Sequence, residues 1–221
     1  MKLFFSFVFL FSFNLMDVRA EEFGAKYKIF LRGIKIGDLQ WIASFDNGVY
    51  HTNIELISGG LLSPIYKFSG DYTSRGIKND DLLVSRFYKY KWNANKKTKE
   101  VIIDFLDQGI NIRQNPIEKE NSRILLKELV GFSDPITSFV NLLLENKSSK
   151  TVDGRRIYTM LAEDNSDENN ITIYVDEYIN IWADHKRNDL KKIVFTKYKH
   201  EFFPTLIQIY FKNNIFKIYK N

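Results

Sequence analysis

The feature that most constrains this chain is a two-residue rhythm of apolar and polar side chains that restarts after each of many turns. Successive side chains of a β-strand point to opposite faces, so the rhythm assigns one face to a core and the other to solvent. Tyr27, Ile29 and Leu31 alternate with Lys26, Lys28 and Phe30, and Gly33 breaks the run. Ile34 and Ile36 open a second run through Leu39, Trp41 and Ala43. Asp46-Asn47-Gly48 is a strong tight-turn signal, after which 49–56 reads as the returning strand. Further runs occupy 68–74, 82–92, 101–106, 156–162, 171–175, 178–183, 193–198, 205–211 and 215–219. Asn213-Asn214 suits a two-residue hairpin turn. Short strands at this spacing argue against βαβ units. The expected fold is mainly β: a strongly curved antiparallel sheet forming a partial or closed barrel.

One segment departs from the rhythm. Ile136, Phe139, Val140, Leu143 and Leu144 fall on one side of a helix. Asp134 stands where an N-cap belongs, and Pro135 suits the first helical position, whose N–H has no partner in any case. The pattern predicts an amphipathic helix over about 134–145, packed on the sheet. Residues 123–130 fit neither pattern, and 61–66 has room for one helical turn.

Residues 1–20 have the layout of a secretory signal peptide: Lys2, an apolar run over 3–15, then Val18-Arg19-Ala20 for cleavage after Ala20. A spanning helix needs about 20 apolar residues, which this run does not reach. The expectation is export to the periplasm of a single β-rich domain, 21–221, with no transmembrane segment in the mature protein. The chain contains no cysteine. No disulfide staples it and no lipid is attached after the cleavage site. Its net charge is +5, of which Lys2, Arg19 and Asp17 contribute +1. A mildly basic exported chain without a nucleic-acid module points to anionic surfaces and away from nucleic acid.

Chemistry is faint. The histidines, His51, His185 and His200, lack metal-ligand spacing, and neither a Gly-x-Ser-x-Gly elbow, a phosphate-cradling glycine loop nor HExxH occurs. The expectation is therefore no catalytic residue, no metal and no cofactor. The acidic run at 163–168 lacks the glycine and spacing of a calcium loop and reads as a solvated hairpin tip. Alternation places Arg86, Tyr88, Tyr90 and Trp92 on one strand face and Phe87, Lys89 and Lys91 on the other. This is either an inward aromatic face with lysines outside, or a contact for anionic lipid or glycan. The apolar loop holding Gly59, Gly60, Leu61 and Leu62 is a flap over a cavity or a loop folded onto the core.

Four stretches resemble a family of exported proteobacterial proteins known only as a domain of unknown function (type 3108). They are Tyr27…Gly33…Ile36-Gly37; Gly59-Gly60-Leu61 with Phe68-Ser69-Gly70; Asp134-Pro135-Ile136; and Val152-Asp153-Gly154-Arg155-Arg156. The late Pro204 also fits. Many members carry cysteines near the Asp-Gly-Arg motif, which this chain lacks. The resemblance implies a periplasmic β-rich domain with no established activity, and marks Asp134, Pro135, Asp153, Gly154 and Arg155 as structural. At the level of fold alone, a curved sheet with a helix on its concave side looks like the LolA/LolB lipoprotein carriers.

The expected function is thus a non-catalytic cell-envelope protein binding lipid or another apolar ligand inside a β half-barrel. Trp41, Gly59, Gly60, Leu61, Leu62, Phe68 and Tyr88 are the candidate lining. The expected partner is lipid or a lipoprotein. The alternative is an envelope scaffold with a filled core that binds a protein, and an exported hydrolase ranks third. A closed, side-chain-filled barrel gives the same sequence pattern as one that holds a ligand.

Overall fold

A computed structural model describes residues 21–60, 67–80, 82–95, 97–144, 146–164, 169–182, 188–198 and 200–221. The leader, Leu61, Leu62, His185 and residues 165–168 of the acidic run lie outside the described residues.

Thirteen strands form one antiparallel sheet. Seven precede the helix: β1 (Glu21–Leu31), β2 (Ile34–Asp46), β3 (Val49–Ser58), β4 (Phe68–Asn79), β5 (Leu82–Ala94), β6 (Lys97–Leu106) and β7 (Gly109–Asn115). A 3-10 turn (Leu126–Glu128) and α1 (Pro135–Leu143) follow. Six strands come after: β8 (Ser148–Val152), β9 (Arg156–Asp164), β10 (Asn170–Asn180), β11 (Leu190–Thr196), β12 (Leu206–Phe211) and β13 (Asn214–Lys220). Their order is β7-β6-β5-β4-β3-β2-β1-β13-β12-β11-β10-β9-β8. Each run pairs with its sequence neighbour. The exception is the splice of β1 to β13, with Tyr27 opposite Lys220 and Leu31 opposite Phe216. The sheet is not closed, because its edges β7 and β8 do not pair with each other.

Its curvature follows from what its distant strands touch. Phe139 on α1 lies 5.9 Å from the Trp41 ring on β2 and 5.5 Å from Phe195 on β11. Those strands stand four places apart, roughly 19 Å in a flat sheet. The concave side therefore wraps α1, seven of whose residues are buried. The hairpin turns alternate between two rims. Turns β2–β3, β4–β5 and β6–β7 share the rim where α1 lies, the helix rim. Turns β1–β2, β5–β6, β8–β9 and β12–β13 share the other, the arginine rim.

Four sequence expectations need correction. Strands β7 and β8 were not expected; both are short edge strands, and the polar-rich Ser148–Val152 has little alternation to read. The run at 178–183 is not a separate strand. Tyr178 to Asn180 end β10 beyond a bulge at Glu177, whose φ is +55°, and the chain turns back at Ile181 and Trp182. A second bulge, opposite Arg75 and Gly76, shifts the face of β5. Ser85 and Tyr88 point inward, while Arg86 turns out to pair with Asp107 at 2.8 Å. The expected helix ends earlier than 145, at Leu143.

Candidate ligand basin at the arginine rim

The helix rim is largely taken up by α1 and its cap, beside a cavity of about 500 Å³ lined by Leu83, Ser85, Phe105, Leu129, Asn141 and Ser149. Asp134 caps α1 with Oδ1, which accepts from the N–H of Ile136 at 2.9 Å and of Thr137 at 3.0 Å. Oδ2 accepts from the hydroxyls of Ser74 on β4 and Ser85 on β5, each at 2.7 Å, and of Thr137 at 2.5 Å. The Tyr50 hydroxyl, from β3, joins the network through Thr137. Burial raises the Asp134 pKa above the usual carboxylate value, and the hydrogen bonds from Thr137, Ser85 and Ser74 only partly oppose it. The Asn141 amide accepts from the N–H of Leu83 at 2.8 Å and donates to its carbonyl at 2.9 Å. It serves the stretch of β5 that runs beyond its pairing with β6. The members of this network are buried. It anchors the helix in the barrel.

Trp41 belongs to this end. Its Nε1–H donates to Thr52 Oγ1 at 2.7 Å, and Phe139 and Phe203 cover the ring. Tyr88 is buried, 3% exposed, with its ring 6.0 Å from that of Tyr90. Gly59 donates to the Ile36 carbonyl at 2.9 Å. Gly60 holds φ +77°, and a Cβ there would lie 2.3 Å from the Lys35 carbonyl oxygen. These two glycines lie close against β2.

The arginine rim is different. The turn Asp153-Gly154-Arg155 reaches across the open seam. An added Cβ on Gly154, whose φ is +86°, would stand 2.4 Å from Val101 Cγ1 on β6. Asp153 Oδ1 accepts from the backbone N–H groups of Arg155 and Arg156, each at 2.8 Å. Its Oδ2 holds the Arg156 guanidinium at 3.0 Å. Trp182 Nε1–H donates to the Gly154 carbonyl at 3.0 Å. The turn is no solvated hairpin tip: it pins one half of the sheet to the other.

That pin leaves a basin of about 380 Å³, within the range of ordinary small-ligand pockets. Tyr72, Tyr90, Trp92 and Phe211 supply rings, Lys99, Arg155 and Arg156 positive charge, and Asp189 one carboxylate. Tyr72 stacks on Tyr90 at 5.9 Å, and Phe68 backs Trp92 at 5.3 Å with the rings 13° from parallel. Of the sequence candidates, Phe68 supports the basin, and Arg155 lines it. Burial raises the Tyr90 pKa, with Asp153 adding to it and Arg155 opposing it, so the hydroxyl stays protonated as a donor at neutral pH. Burial presses on the Arg156 charge, but Asp153 and the hydroxyls of Tyr158 and Tyr178 outweigh it and hold the guanidinium positive. Tyr90, Trp92, Lys99, Arg156 and Phe211 were missed as a set because they come from four separate strands. Alternation on β5 gave only the inward Tyr90 and Trp92.

Among the described residues, no group of His, Asp and Glu could hold a metal ion. No described helix is long and apolar enough to cross a membrane. No family model and no curated protein matches the chain. Among solved structures it is similar to a β-barrel-like protein of a domain of unknown function, DUF1849, from Brucella abortus. The two are 12% identical, with a TM-score of 0.53, over 90% of this chain and 95% of that one. That likeness is one of fold: a mainly β, barrel-like chain of unknown function whose sheet, in this protein, remains open.

Proposed function

We propose that this protein is a non-catalytic cell-envelope binding protein that holds an apolar ligand with an anionic end in the arginine-rim basin. The observation that carries the reading is the pairing of ring walls with cations there: Tyr72, Tyr90, Trp92 and Phe211 against Lys99, Arg155 and Arg156. Each methylene buried against the rings contributes about 0.8 kcal/mol. The guanidinium groups offer planar, bidentate sites for a phosphate or carboxylate. The signal-peptide pattern at 1–20, the type 3108 resemblance and the looser likeness to LolA/LolB lipoprotein carriers support a periplasmic setting and a lipid-like ligand.

Native mass spectrometry of gently purified protein, followed by organic extraction, tests this. The expected result is a reproducible added mass that extracts as lipid. Trp92→Ala and, separately, the exposed Lys99→Glu are expected to lower its retention by about tenfold, the loss of one wall or one cation. A bare mass, with no uptake of offered anionic lipids, overturns the proposal. One observation favours the second reading, a scaffold with a filled core: seven of the nine residues of α1 are buried within the sheet. Crosslinking in cells that captures one protein at an edge strand, alongside a bare mass, is its expected signature.

A further inference from the structure

The convex face of the C-terminal half carries a pattern that its core does not explain. On β9 to β13 the outward residues Leu161, Tyr174, Lys192, Tyr210 and Ile215 stand directly opposite one another across five neighbouring strands. Leu161, Tyr174 and Ile215 are each about 40% exposed, as is Tyr219 beside them. The Lys192 ammonium lies 4.6 Å from the Tyr210 ring centre and 5.9 Å from that of Tyr174. Phe30 meets Tyr219 edge to face at 5.7 Å, and Lys28 and Lys217 stand opposite these two rings. No residue of β11, β12 or β13 is acidic, nor is any from Lys26 to Phe30, while on β10 the exposed Asp176 and Glu177 lie toward its arginine-rim end. The nearest cross-strand carboxylate, Asp38, is held by Lys35 at 2.7 Å. The opposite half of the convex face mixes signs, with Glu55, Asp71 and Lys91 in cross-strand register.

We infer that this face of β1 and β10 to β13 docks on an anionic phospholipid bilayer. Tyrosine has an apolar body and a polar tip, which suits the headgroup level. Lys28, Lys192 and Lys217 outnumber the carboxylates at the margins of this face, Asp38 and Asp176, and match the negative surface potential of anionic lipid. The inference is independent of whether the basin is occupied.

Flotation with vesicles of equal parts phosphatidylethanolamine and phosphatidylglycerol, against pure phosphatidylcholine vesicles, tests it. The chain is expected to float with the anionic vesicles only, and to leave them in high salt. A near-surface lysine is worth about fivefold, so Lys28→Glu with Lys217→Glu is expected to weaken binding by at least about 25-fold. Unchanged thermal unfolding checks that the variant folds, and unchanged ligand mass separates this face from the basin. Equal binding to neutral vesicles, no binding to anionic ones, or full binding by the folded double variant each overturns the inference. A bare basin with intact vesicle binding overturns the proposed ligand site alone.

Discussion

Asp134 shows how one buried carboxylate can hold a helix inside a sheet. Three hydroxyls and two backbone N–H groups satisfy it, so the charge is paired by dipoles rather than by a cation. Such an arrangement lowers but does not abolish the desolvation penalty. Because its pKa is raised in the folded state, the folded chain binds this proton more tightly than the unfolded one. The stabilising contribution of protonation is fully present below the unfolded value of about 3.9 and is lost as pH rises through the folded value. Asp134→Asn cannot titrate, and it orphans part of the hydroxyl network. It is expected to cost about 1–3 kcal/mol. The gap between wild type and variant in urea unfolding is expected to narrow as pH rises from 4, as the protonation part of the wild type's advantage titrates away. A gap that widens over that range contradicts the raised pKa.

At the scale of elements, the β8–β9 turn does work usually done by strand pairing. The edges β7 and β8 stay apart, and Gly154 closes the distance between β6 and β9 by bringing bare backbone against Val101. Gly154→Ala meets both a left-handed backbone and Val101 Cγ1, and is expected to cost about 2–4 kcal/mol in chemical denaturation. Val101→Ala removes the clashing methyl, so the double variant is expected to lose less than the two single losses summed. Strict additivity would mean that the turn does not press on β6. The hairpin β2–β3 and the cap of α1 were legible in the sequence because each is local: Asp46-Asn47-Gly48 and Asp134-Pro135. Asn213-Asn214 put the β12–β13 turn one residue late: Lys212, at φ +53°, and Asn213 make it. The role of Asp-Gly-Arg-Arg was not legible, since the methyl that requires glycine lies on another strand more than fifty residues away. The edge strands escaped for a different reason. Gly109–Asn115 shows its alternation over Ile110 and Ile112 alone, and the polar-rich Ser148–Val152 has little to show.

For the whole molecule, the decisive contact is the splice of β1 to β13. It makes one sheet of two meanders that the chain builds separately, before and after α1. The helix then ties the meanders from inside, touching Trp41 on one and Phe195 on the other. With splice, helix and pin in place, neither meander keeps a core of its own, and unfolding is expected to be a single transition. The tryptophans report three separate regions: Trp41 under the helix, Trp92 in the basin and Trp182 on the pin. In variants that retain one tryptophan, the other two replaced by phenylalanine, fluorescence and far-ultraviolet dichroism are expected to give coincident urea midpoints. Trp41→Phe leaves Thr52 bonded to the Ile42 carbonyl, so that replacement orphans no hydroxyl. A Trp92 midpoint that precedes the loss of dichroism would mean the arginine rim opens while the helix rim holds. The basin would then be a separately mobile site whose occupancy, rather than the splice, sets how long the half-barrel stays shut.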